Sequence, residues 1–197
     1  MRTQLSAALV LFALLLAVPA SAEKGPPKLK QLTPMLVDLG EAPSDEALKA
    51  IKVADRCAKA DRTWMRAMEP EQQVGIDELH ELLAAPVTCW QGAAKKGAKA
   101  GDSYAPILKY VEAQALYVQT LRAYIFALQA KYIGDRLNSC KRFKLAIKEA
   151  AAATSSTEGV VDGFTNVEAK TLAAQQSQNI VGMGATIADE FSTQKCD

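Results

Sequence analysis

Residues 107–132 read ILKYVEAQALYVQTLRAYIFALQAKY, and this run decides the fold class. Ile107, Val111, Gln114, Val118, Leu121, Ile125, Leu128 and Tyr132 recur at steps of four and three. That spacing aligns side chains along one face of a helix, as in a bundle seam. Gln114 is the one polar residue besides the terminal tyrosine. Tyr110, Tyr117 and Tyr124 form a second stripe at intervals of seven, about 60 to 100° round the helix. Leu108 and Phe126 cover the other flank. A helix apolar over that width is buried on several sides, so it is expected to be the centre of the fold. Asp102 or Ser103 is its expected N-cap.

Outward from this helix the pattern stays helical. Ser44 is an expected N-cap with Asp45 and Glu46 in the first turn, where they complement the helix dipole. Ala47, Ile51, Ala54, Cys57, Trp64 and Met68 then mark a buried stripe. Asp61 falls on that stripe. It either pairs with an arginine or lies where the stripe rotates past it, and the second reading is favoured. Glu69 to Gly75 reads as a turn. A second helix follows with Ile76, Leu79, Leu82 and Leu83 on one face, broken or kinked by Pro86. Val87, Cys89 and Trp90 continue it, and Gly92 to Gly101 reads as a loose basic connection.

Beyond the central helix, Gly134, Asp135, Asn138 and Ser139 are expected to interrupt the chain. Cys140 to Ala153 is helical again, Thr154 to Thr157 is a turn, and Ser155 with Glu158 matches a capping box. The last helix is expected to begin near Val160. Gly182 and Gly184 weaken it around Met183.

The fold class is therefore all-α: a monomeric four- to five-helix antiparallel bundle. Three regions are expected. Residues 1–22 read as a signal peptide, with Arg2, the apolar run Leu9 to Val18 and an A-x-A pattern before Glu23. The apolar run is too short to span a bilayer, and no transmembrane segment is expected once it is removed. Residues 23–43 read as an extended arm, because Pro26, Pro27, Pro34 and Pro43 oppose regular helix. Residues 44–197 are the bundle domain. Removing residues 1–22 leaves 175 of 197 residues, enough for one domain with a real core.

An exported chain with four cysteines, Cys57, Cys89, Cys140 and Cys196, reads as two disulfides. Cys57 lies 11 residues before Met68, and Cys89 lies 13 after Ile76. In an antiparallel hairpin those levels differ by about 3 Å. Cys57–Cys89 is therefore expected, and Cys140–Cys196 follows by elimination. Straight helices would leave the second pair about 40 Å apart. A fold-back at residues 182–184 or a break at Gly134 is required to close it.

Charge is uneven along the chain. Residues 23–94 carry nine basic and twelve acidic side chains, residues 95–148 eleven and three, and residues 149–197 two and seven. The near-zero sum gives no reason to expect a nucleic-acid partner. The favoured reading of the basic middle is structural: its charges pair with acidic neighbours across the bundle rim or form a solvated face. The sharper reading makes Arg136, Lys141, Arg142, Lys144 and Lys148 candidates for an anionic surface such as lipid headgroups, cell-wall polymer or an acidic protein.

Catalytic motifs are sparse. Asp77, His80 and Glu81 are weak metal candidates: His80-Glu81-Leu82-Leu83-Ala84 is HExxA, the zinc-protease HExxH without its second histidine. The D-x-x-H step of a di-iron bundle needs two such helices, and this chain has one histidine. No nucleotide loop or GxSxG elbow occurs, and no cofactor is expected. Tyr110, Tyr117 and Tyr124 could line an apolar ligand pocket. The leading expectation is a non-catalytic exported adaptor in the periplasm or outside a bacterial cell, with an envelope or secreted protein as partner. A carrier of a small apolar ligand or lipid, and a metal- or carboxylate-dependent enzyme, are the alternatives.

Overall fold

The computed structural model describes Leu32, Met35 and residues 44–69, 74–100, 105–194 and 196. The expected signal peptide, most of the expected arm, residues 70–73 of the expected turn and the expected cap at Asp102 or Ser103 lie outside the described residues. Among those described no strand occurs, and the bounded helices are α1 (Asp45–Ala67), α2 (Ile76–Leu82), α3 (Ala84–Gly97), α4 (Ala105–Tyr132), α5 (Arg136–Ser156) and α6 (Val167–Thr193). The bundle is all-α, as its periodicity dictates.

Local chemistry accounts for most boundaries. Ser44 accepts a hydrogen bond from the Ala47 amide at 3.2 Å and starts α1. Its acidic neighbours Asp45 and Glu46 occupy the first turn, facing the positive end of the dipole. The bend between α2 and α3 falls at Leu83. Pro86 has no N–H to give to the Leu82 carbonyl, so the helical ladder is interrupted one turn before the proline. Counting α2 and α3 as one bent rod makes five rods.

Successive rods run antiparallel. Gln91 reaches Gln119 between α3 and α4, Gln119 reaches Glu149 between α4 and α5, and Arg142 reaches the Phe126 carbonyl. α4 meets each of the other five helices. Its seam explains why: Ile107, Val111, Val118, Leu121, Ile125 and Leu128 are all buried.

The α4–α5 pair has a second determinant. Buried Ala113, Thr120 and Ala127 recur at seven-residue steps on α4, and buried Ser139, Ala146 and Ala153 do so on α5. The bonds above bring the two rows to matching levels within about two residues, and Ala113 and Ala153 share one buried cluster. Small side chains there let the two backbones approach closely. The packing also dictates which face of α5 looks outward.

Both disulfides join the expected partners. Cys57–Cys89 ties α1 to α3 with Cα atoms 5.4 Å apart, and Cys140–Cys196 ties the start of α5 to the C-terminus at 5.6 Å. Such bonds point to folding in an oxidising compartment.

Several expectations need correction. Residues 92–97 are not a loose connection: α3 continues to Gly97, with Lys95 and Lys96 in its last turn, where cations suit the dipole. Tyr132 ends the seam but is exposed, because Gly134 at φ 80° turns the chain there. Asn138 and Ser139 belong to α5, whose N-cap Asp135 accepts from the Asn138 amide. Ser155 does not open a capping box. α5 continues through Ser156, and the Ser156 and Thr157 hydroxyls donate back to the Ala153 and Thr154 carbonyls. The last helix begins at Val167, capped by Asn166 through the Glu168 and Ala169 amides. Val160 and Phe164 are buried in the connection before it. The arm was expected to be extended, but its two described residues, Leu32 and Met35, are helical and buried in the core. Their spacing of three puts both side chains on one helical face.

No fold-back occurs at residues 182–184, since α6 is continuous through them. The Cys140–Cys196 level problem is solved by register instead. Ser139 meets Gln194, Thr157 meets Ser177, and a Cβ on Gly184 would stand 3.7 Å from the Ala150 Cβ. Residues 167–176 therefore extend about 15 Å beyond the end of α5. The irregular connection carries the chain out by that length, and α6 returns over it.

Candidate functional site

Two places in this fold gather chemistry. The first is a polar node inside the bundle, where α1, α3, α4 and α6 converge. Asp61 is 5% exposed. Its Oδ1 accepts from the Trp64 indole at 3.0 Å, and its Oδ2 accepts from the Trp90 indole at 2.9 Å. Gln114 Nε2 donates to the same Oδ2 at 3.4 Å. Gln176 of α6 donates to Gln114 Oε1 at 3.0 Å and to the Tyr110 carbonyl at 3.1 Å.

The donor set orients this node. An indole can only donate and a carboxylate can only accept, so both tryptophans point at Asp61. Burial pushes the Asp61 carboxyl above its ordinary range, and the bonds from Trp64, Trp90 and Gln114 partly oppose that shift. The partner of this buried acid is thus two indoles and an amide. It is neither an arginine nor solvent, the two options weighed for it. The Cys57–Cys89 bridge lies one turn before Asp61 and one residue before Trp90, so the same part of α1 and α3 is held covalently.

The tyrosine stripe borders this node. Tyr110 and Tyr117 are half-buried and pack on the core. Burial, with the charge of Asp61 adding to it, pushes both hydroxyls up to about 12. Tyr124 is buried and meets Phe143 edge-on at 6.1 Å. Burial raises its hydroxyl as well, with Glu190, Tyr132 and Asp189 adding to the effect.

The metal candidates are otherwise engaged. Asp77 accepts from Gln129 at 2.7 Å. His80 stacks on Phe126 with ring centres 5.0 Å apart, and its Nδ1 lies 3.5 Å from Glu81. Burial first, and the nearby Arg122 charge second, hold the imidazole below its usual value. Among the described residues no three His, Cys, Asp or Glu side chains are grouped to hold a metal ion.

The second place is the solvent face of α5. Arg142 is not part of it: its guanidinium lies 3.4 Å from the Phe126 ring centre and donates to the Phe126 carbonyl at 3.0 Å. His80, Phe126 and Arg142 thus join α2, α4 and α5. Lys141, Lys144 and Lys148 are exposed, as is Arg136. Leu137, 68% exposed, and Leu145, 49% exposed, accompany them. At 100° per residue, Leu137, Lys141, Lys144 and Lys148 fall within about 60° of one another. Leu145 flanks the strip, and the core residues Ser139, Ala146, Ala150 and Ala153 lie opposite. The ion pairs among the described residues are Lys49–Glu46, His80–Glu81 and Lys131–Glu190. None uses these lysines.

No protein-family model matches the sequence, and no curated protein or solved structure is similar to it.

The basic candidates were legible from composition, but Leu137, Leu145 and Ile133 were missed. Their signal was present: Leu137 and Leu145 are eight residues apart with lysines between. It is readable only once α5 is known to begin at Arg136 and to bury its alanine face.

Proposed function

We propose that this chain is an exported, non-catalytic helical binding protein that engages its partner through the solvent face of α5. The observation that supports this reading is the strip Leu137, Lys141, Lys144, Leu145 and Lys148. It combines exposed leucines with cations that no acid of the described bundle pairs. An exposed leucine alone is ordinary. Leucines aligned with a single sign of charge on one helix face suit contact with an anionic or amphipathic partner. The polar node supports the reading indirectly, since Gln114 and Gln176 fasten together α4 and α6, the helices on which α5 packs.

Site-directed photocrosslinking tests the proposal. A benzophenone side chain replaces Leu145 or, as control, exposed Thr171 on α6, and the exported protein is irradiated in its native envelope or medium. Adducts specific to position 145 are expected. Equal or absent adducts at both positions would refute the assignment of function to this face.

A further inference from the structure

We infer that the solvent face of α5 docks on an anionic lipid bilayer. The helix lies flat on the headgroups, and Tyr132, Ile133 and Leu137 enter the boundary of the acyl region. This rests on the binding role proposed for the same face, and names its partner.

Charge complementarity is the first argument. From Arg136 to Lys148 the chain carries five basic residues and no acidic one. Two of the acids nearby are engaged elsewhere: Glu149 accepts from Gln119, and Glu190 pairs with Lys131. Asp135 caps α5 through Asn138, and its charge reaches Lys141 and Arg142, offsetting part of theirs. An anionic surface still meets a net excess of cations along the strip.

The type of cation is the second argument. The outward charges on the strip are lysines, which are compact, hydrated point charges suited to mobile headgroups. Arginine is the residue suited to bidentate recognition of a protein carboxylate. The arginine of this segment with described contacts, Arg142, is committed to Phe126.

The apolar residues supply the third. Ile133 is 80% exposed, Leu137 68% and Tyr132 46%, all at one turn. Gly134, at φ 80°, shapes that turn, and Asp135 caps the helix after it. Ile133 and Leu137 are therefore presented by an ordered hairpin tip. Aliphatic residues beside a tyrosine, with lysines along the same face, are the pattern of an interfacial helix. The strip from Leu137 to Lys148 is about 16 Å long. End-on insertion would leave Lys148 beyond a Debye length of about 8 Å, whereas flat docking brings all three lysines to the surface together.

The test is co-sedimentation of the purified exported protein with vesicles of phosphatidylglycerol or of phosphatidylcholine, at low and high salt. Salt-sensitive binding to phosphatidylglycerol, and much weaker binding to phosphatidylcholine, is expected. The triple variant Lys141→Ala/Lys144→Ala/Lys148→Ala should lower partitioning about a hundredfold, and Ile133→Ser/Leu137→Ser about tenfold. Lys95→Ala/Lys96→Ala/Lys99→Ala removes the same charge from an exposed stretch elsewhere and should leave binding within about twofold of the wild type. Absent binding, equal binding to both lipids, or equal loss in the two lysine triples overturns the lipid assignment. Protein adducts at position 145 without vesicle binding would overturn lipid as the partner and keep the binding role. Loss of both signals removes both.

Discussion

Removing the acceptor that holds Trp64 and Trp90 should cost this bundle a measurable share of its stability. Asp61→Ala leaves two buried indole N–H groups without their carboxylate. Each unsatisfied donor costs about 1–3 kcal/mol. The single variant also relieves the desolvation of a buried acid, so a double-mutant cycle with Trp90→Phe is needed to isolate the bond. The Trp90–Asp61 contact is 2.9 Å long and buried, which places it among charge-assisted bonds worth about 1.5–3 kcal/mol. Trp90→Phe should thus cost that much less in the Asp61→Ala background than in the wild type. The assay is urea unfolding followed by far-ultraviolet circular dichroism, without reductant so that both disulfides stay intact. Dichroism is the right probe because Trp64 and Trp90 are the chain's two tryptophans. Additivity within about 0.5 kcal/mol would show that the indole and the carboxylate are neighbours without being partners, and would refute the reasoning.

Three further outcomes are expected. Because burial raises the Asp61 carboxyl above its unfolded value of 3.8, the folded state holds that proton more tightly. This stabilising contribution is complete below the unfolded value and lost as pH rises through the folded one. Asp61→Asn lacks it, so the stability of wild type relative to Asp61→Asn should fall between acid and neutral pH. A pH-independent difference in paired urea titrations would contradict this. The disulfides close separations of 32 and 56 residues, so replacing either pair by alanine should cost about 4 kcal/mol on the chain-entropy model. The pair Cys140/Cys196 should cost slightly more, read as the shift in unfolding midpoint. Thr120→Val should stabilise by about 1 kcal/mol, because the Thr120 hydroxyl is fully buried with no partner in the described structure. A loss of stability in thermal unfolding would point to a hidden acceptor.

Much of the architecture was readable from spacing. The 3.6-residue period of the α4 seam is a local property, and so are the Ser44 cap, the break near Pro86 and the turn near Gly134. Even the Cys57–Cys89 bond followed from counting residues along two helices. Boundaries whose sequence signals compete were misjudged. Ser155 with Glu158 mimics a helix start, but the helix before it has not ended, because its alanines are paired with the small residues of α4. Gly92 reads as a break, yet α3 runs on past it to Gly97, which packs against Leu108.

The sequence by itself determined that the chain is helical, that α4 is central and that the cysteines pair. These follow from periodicity, side-chain volume and distance along a helix, each of which one segment carries alone. Tertiary structure decided the rest. Asp61 acquires its role from Trp90 and Gln114, 29 and 53 residues away along the chain, with Gln176 holding Gln114 in turn, and they meet only when four helices converge. The lysines of α5 become a surface only because Ser139, Ala146 and Ala153 must face α4, which turns the opposite side outward. Periodicity can say that a helix has two faces. Which face meets the core, and what the other offers to a partner, depends on neighbours that only the folded chain supplies.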